Sequence, residues 1–167
     1  PPSKEFLFGT DSLGRCVFSR VLYGANRTIF SAIIVVLITF LFGTTVGIIS
    51  GYIGGKIDRL IMRIVDVFLA FPGLVLAIAV AGLLGGSMIN AMIAISLISW
   101  TKYARIARSK VLEIKEETFI QASKISGHNA LHIMIKHILP NILAYLIVTA
   151  SLDIGTVIME MSSLSFL

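Results

Sequence analysis

The side chains best able to do chemistry in this sequence lie in its last third. His128 and His132 are spaced i, i+4, so on one helical face both imidazoles could reach a metal ion, but no HExxH acid accompanies them. A structural role is the plainer reading, and no metal site is assigned. Asp153 and Glu160 are seven apart within an apolar run, which places them on roughly one helical face two turns apart. An ionisable group inside a membrane helix is expensive and usually faces a cavity or a partner, so these two acids are the translocation-path candidates, Asp153 ahead of Glu160. Gly54-Gly55-Lys56-Ile57-Asp58 is not a phosphate loop, and no GxxxxGK[ST] occurs elsewhere. No paired-carboxylate, Ser/His/Asp or Cys/His arrangement forms a plausible site, so the chain is read as no enzyme and as binding no cofactor itself. The single cysteine, Cys16, excludes an internal disulfide and a multi-cysteine metal site.

The elements that must position these residues are membrane helices. Hydrophobic residues make up 56% of the chain and charged residues 14%, with a mean hydropathy of +0.94. No charge falls between Arg27 and Lys56, or between Asp66 and Lys102, and the second gap is broken at Gly82–Ser87. The pattern predicts four transmembrane helices at roughly 28–53, 62–84, 88–104 and 141–160. Seven of the 14 Lys and Arg residues (102, 105, 108, 110, 115, 124 and 136) cluster from the end of the third span to the start of the fourth. The positive-inside rule puts that loop, 105–140, in the cytoplasm and residues 1–27 outside. The net charge of +5 therefore reflects topology, and nucleic-acid binding is not expected. Without an initial methionine, and with an abrupt stop at Leu167, the chain reads as lacking a first and a last span.

Smaller signals refine this picture. Gly43, Gly47, Gly51 and Gly55 recur every four residues and would form a smooth stripe for close helix packing. Asp11 or Ser12 is expected to cap a short interfacial helix with Leu13, Val17, Val21 and Leu22 on one face. Asp58 or Asp66 could pair with Arg63 near the membrane boundary. Pro72 should kink the second span by removing one backbone donor. Trp100 and Tyr103 sit where an aromatic belt would.

Residues 116–141, EETFIQASKISGHNALHIMIKHILPN, form the long polar interruption in the second half. Phe119, Ala122 and Ile125 share a helical face, Gly127 is the expected C′ residue, and Asn129 is a plausible N-cap. A second short helix would carry Leu131, Met134, Ile135 and Ile138 along one side and stop near Pro140. Two amphipathic helices hinged at a glycine beside a membrane suggest a docking device.

These residues resemble the cytoplasmic loop of binding-protein-dependent ABC importer permeases, whose signature is Glu-Ala-Ala, three residues, Gly and a later Leu-Pro. Gln121-Ala122-Ser123, Gly127 and Leu139-Pro140 occupy those places, with an amide for the acid and serine for the second alanine. The run Gly9 to Arg20 resembles the G-T-D-x-L-G-R-D-x-x-S-R motif of the peptide and nickel branch, with Cys16 in the place of the second aspartate. Met62-Arg63 to Pro72, Tyr103-Ala104-Arg105 and the closing Ser163 to Leu167 are similar to further runs of the same family.

The resemblance implies an all-α polytopic helical bundle, the transmembrane domain of a type I ABC importer in the bacterial inner membrane. It implies that the loop carrying Glu117, Gln121, Ala122, Ser123, Gly127, Leu139 and Pro140 couples to two ABC ATPase subunits, which would bind ATP and Mg. It further implies a second homologous permease and an extracellular solute-binding protein. The substrate would be nickel, a metal chelate or a di- or oligopeptide. Ala122 to Gly127 and Leu152 to Gly155 lean slightly toward the nickel branch. A stand-alone channel or ion-coupled carrier, using Asp153 and Glu160, is the alternative from another class. A membrane anchor of a quinone-linked enzyme is disfavoured, since no span holds a histidine pair for haem.

Overall fold

The structure is a computed structural model that describes residue 2 and residues 6–164. Ser163 and Leu164 of the closing run are therefore described, and the rest of that run lies outside the described residues. The described chain is helical, without a named strand: α1 (Val17–Ile53), α2 (Gly55–Leu69), α3 (Gly73–Leu84), α4 (Met88–Ile114), α5 (Thr118–Ile125), α6 (Ala130–Ile133), a π-helical turn (Met134–Ile138) and α7 (Leu139–Leu164).

Helix α1 is 37 residues long, about 55 Å at 1.5 Å per residue, and so longer than a bilayer core. Among the described residues no separate interfacial helix precedes it, contrary to the sequence expectation. Nothing between Val17 and Gly54 breaks the helix, so Val17, Val21 and Leu22 belong to α1 itself. Asp11 does not cap a helix either. Its Oδ1 accepts the backbone N–H of Leu13 and Arg15, and its Oδ2 accepts from the Arg15 and Arg20 guanidinium groups. The turn closes on that carboxylate, which its donors hold well below the usual carboxylate range, the Arg15 backbone N–H contributing most.

The expected second span, 62–84, is not one helix. α2 and α3 meet at 82° across Ala70–Pro72. Proline lacks a donor and disfavours helical backbone at the residue before it, here Phe71, so the chain breaks where a kink was expected. α3 alone reaches about 18 Å, short of a bilayer core. Among the described residues two helical stretches are long and apolar enough to cross a membrane, or three if the α2–α3 pair counts as one broken span. The stretch 88–104 lies within α4, which runs on to Ile114 and carries its basic residues out of the apolar zone. Ser87 caps α4 by accepting from Asn90 N–H, and the Asn90 amide donates to the Leu84 and Gly85 carbonyls, closing the tight α3–α4 turn.

α1 and α4 pack face to face, with α7 against both. One apolar cluster includes Ala32, Val35, Val36, Ile95, Ile98 and Val157. A second, toward the polar end, joins Ile48, Ala107 and Val111 to Ile120, Ile133 and Ile138. That second cluster fastens the short helices to the bundle.

Candidate functional site

Glycine sets how closely α1 and α4 approach. A Cβ on Gly43 would sit 2.7 Å from Tyr103 Cβ, one on Gly47 2.7 Å from Ala107 Cβ, and one on Gly51 2.9 Å from Val111 Cβ. Only hydrogen fits at these three positions, as small-xxx-small packing requires. Gly55 does not belong with them. It opens α2 at φ +62°, in the left-handed turn with Gly54, and nothing lies near its missing Cβ. The four-residue period continues past the end of α1, so spacing alone could not separate a packing glycine from a turn glycine.

The polar end of this seam is closed by ion pairs. The Arg108 guanidinium grips both oxygens of Asp58, Nε to Oδ1 at 2.5 Å and a terminal nitrogen to Oδ2 at 2.6 Å. Ser50 donates to the same carboxylate, so one site joins α1, α2 and α4. Arg105 binds Asp66 at 2.6 Å one turn away. The expected partner of these acids was Arg63, but it makes neither contact. Local spacing favoured Arg63, whereas the fold brings arginines from about 40 and 50 residues away.

The loop is a compact three-part module. α5 ends in a paired-turn cap: Gly127, at φ +79°, donates to the Lys124 carbonyl, and His128 N–H donates to the Ser123 carbonyl. The Asn129 side chain accepts from His132 N–H and starts the next helix. Ile120 is buried against the bundle, whereas Phe119, Ala122 and Ile125 lie on an exposed apolar face, Ile125 being 87% exposed. Gln121 turns inward, its amide within 3.4 Å of the Lys115 carbonyl and 3.3 Å of Glu116. Ser123 is buried and contacts the His128 ring, and Glu117 starts α5 without a side-chain cap.

The second half of the module differs from expectation. Ile133 and Ile138 are buried while Leu131 and Ile135 are exposed, so Leu131, Met134, Ile135 and Ile138 do not form one side. The helix does not stop near Pro140. It widens into a π turn and continues through half-buried Leu139 and exposed Pro140 into α7. Proline cannot donate to the carbonyl four residues back, and the wider turn shifts the register there. Asn141 adds a side-chain donor to the His137 carbonyl, at 2.6 Å. His128 and His132 stack at 4.4 Å between ring centroids, with His137 at 5.8 Å from His132. Among the described residues no group of three or more His, Cys, Asp or Glu is placed to hold a metal ion.

In α7, Asp153 is buried and receives the Lys102 ammonium of α4 at 2.5 Å. Glu160 is half-buried two turns on. Sequence reasoning counted Lys102 among the loop cations, so it missed this cross-helix pair. A buried acid needs a counter-charge, and Lys102 is the first cation after the long uncharged run, which was the available signal. A cavity of about 620 Å³ opens elsewhere, beside Thr28, Gly82, Ser87 and Met161, away from this pair.

The fold, the glycine seam and the module can be compared with known proteins. The family model for the binding-protein-dependent transport system inner membrane component matches residues 43–167. The chain belongs to that family. It is a multi-pass protein of the bacterial inner membrane. It is 47% identical over 166 residues to the dipeptide transport system permease protein DppC of Alkalihalophilus pseudofirmus, 99% of this chain and 55% of that protein. It is 44% identical to the probable D,D-dipeptide transport system permease protein DdpC of Escherichia coli K12, over 100% of this chain and 56% of that protein. The glutathione transport system permease protein GsiD of Pectobacterium atrosepticum is 42% identical, over 99% of this chain and 55% of its own length. The chain thus spans about half the length of these relatives. Within the family match lie the glycine seam, the α5–α6 module and both α7 acids.

Proposed function

We propose that this chain belongs to a permease subunit in an ATP-driven importer, and that its cargo is a peptide. The observation that carries the reading is the α5 face of Phe119, Ala122 and Ile125. It is apolar and exposed, on a module whose other side is fixed to the bundle. Such a face fits a groove on a separate ATPase subunit, with α4 and α7 as the levers. Two ATPase subunits bind ATP and Mg, a second homologous permease completes the pathway, and an extracellular binding protein delivers cargo. Closure of the ATPases on ATP moves the module, the helices turn from inward- to outward-facing, and hydrolysis resets them. The chain itself hydrolyses nothing.

The loop 105–140 lies on the cytoplasmic side in this reading. Asp153, paired with Lys102, and Glu160 line the path, where fixed charges would meet the ammonium and carboxylate of a zwitterionic peptide. The sequence lean toward nickel or a chelate gives way to peptide because the relatives are named for dipeptide and glutathione transport. The test is Ile125→Asp in the full-length protein. ATPase subunits should be lost from the purified complex while membrane insertion is unchanged. Full retention of the ATPases would count against α5 as the docking element.

A further inference from the structure

The helix α2 carries a feature that neither transport nor coupling uses. Ile57, Leu60, Ile64 and Val67 fall at i, i+3, i+7 and i+10 and are each about half to two-thirds exposed. They form one unpartnered apolar stripe along α2, while Asp58 and Val65 on the far side face the bundle. Beside the stripe run Lys56, Arg59 and Arg63, at i, i+3 and i+7, all exposed. The acids of α2 do not neutralise them. Asp58 is taken by Arg108 and Asp66 by Arg105, both from α4. Among the described residues none of the three α2 cations forms an ion pair. The helix, about 22 Å long, also turns by 82° before α3 begins.

An apolar stripe, a flanking cationic stripe and a sharp bend away from the following membrane segment are the parts of an interfacial helix. We propose that α2 lies in the lipid–water interface and binds anionic phospholipid. The stripe of Ile57, Leu60, Ile64 and Val67 enters the acyl boundary, and Lys56, Arg59 and Arg63 hold phosphodiester headgroups. The α4 arginines have a second role here, because occupying the acids of α2 leaves its cations free for lipid. The choice of lipid over a protein partner rests on this charge complementarity. A protein groove would have to supply three acids beside an apolar seam, whereas an anionic leaflet supplies both together.

The experiment uses the full-length protein in its complex, with a photoreactive amino acid at position 60 or 64. The complex is reconstituted in phosphatidylethanolamine with a tenth phosphatidylglycerol, and the adducts are identified by mass spectrometry. Phosphatidylglycerol adducts should exceed that lipid's share several-fold, since each basic side chain near an anionic surface is worth roughly a fivefold preference. The variant K56Q/R59Q/R63Q should return the adducts to the mixing ratio. Raising the salt to about 0.5 M should lower the preference in the unmutated complex, a readout that needs no folded variant. Adducts at the mixing ratio without the mutations, adducts on a polypeptide, or a preference unmoved by salt would each overturn the proposal. None of these readouts depends on transport, so they stand or fall apart from the importer reading.

Discussion

Replacing Gly47 by alanine should loosen the α1–α4 seam, and the size of the effect can be worked from the geometry. The new methyl group would lie 2.7 Å from Ala107 Cβ and tighter still against the Ala104 carbonyl oxygen, where ordinary contact starts at 3.4 Å. Both obstacles belong to α4 backbone or Cβ, so no flexible side-chain end can swing aside. The helices must part by about 0.7 Å or more, and a gap of that order forfeits roughly a quarter to a half of each contact's dispersion energy. Overpacking of this kind costs about 1–3 kcal/mol. Alanine returns about 1 kcal/mol through its better helix propensity, leaving a net loss of about 0–2 kcal/mol, and a deficit of about 1–3 kcal/mol against a control that gains the same propensity. Gly155→Ala in α7 is the matched control, because nothing lies within 4 Å of its missing Cβ. Thermal unfolding of the full-length protein in one detergent should show Gly47→Ala melting lower and Gly155→Ala unchanged or higher. Equal melting temperatures would refute the claim that this seam is set by glycine.

Further expectations follow from the same structure. Asp58→Asn strips the counter-charge from a guanidinium that is only 30% exposed, and should cost about 1–3 kcal/mol in detergent unfolding, with Asp66→Asn, whose pair is open to solvent, costing under about 1. Gly127→Ala forces a side chain into φ +79° and should weaken the α5 cap by about 1 kcal/mol, read as faster hydrogen exchange at His128 with little change at Ile133. The depressed Asp11 carboxyl contributes stability that is present above about pH 4 and is lost as pH falls below it, so the Asp11–Arg20 turn should keep its exchange protection at pH 5 and lose it in stronger acid; Asp11→Asn should abolish that acid dependence. With Cys16 replaced by serine, a cysteine at position 127 should react with an impermeant maleimide from the inner face of the membrane alone; labelling from outside would reverse the topology.

The sequence made the helical class and the α5 cap legible because both rest on local physics. Long uncharged runs and one glycine followed by Asn129 are short-range signals. The seam was legible at Gly43, Gly47 and Gly51 for the same reason, and misread at Gly55, where the period outlived the helix. The break at Pro72 was visible as proline but not as an 82° turn, since its angle depends on how α2 docks on α4. That docking rests on Arg105 and Arg108 pairing across 39 and 50 residues, which no local window contains. The π turn at Met134–Ile138 was hidden in the same way. Pro140 announces a missing donor, while the continuous helix through it is decided by Ile133 and Ile138 packing on the bundle. Lys102 was obscured by its place at the membrane edge, where a cation is ordinarily solvated.

The most direct test of the account is uptake by the complete complex in proteoliposomes, with labelled dipeptide, glutathione, nickel and a nickel chelate in competition. The account predicts peptide uptake that requires ATP, the ATPase subunits and the binding protein, and that fails with Ile125→Asp. Uptake by the permease without any ATPase, or ATP-driven uptake of metal with peptide excluded, would contradict it.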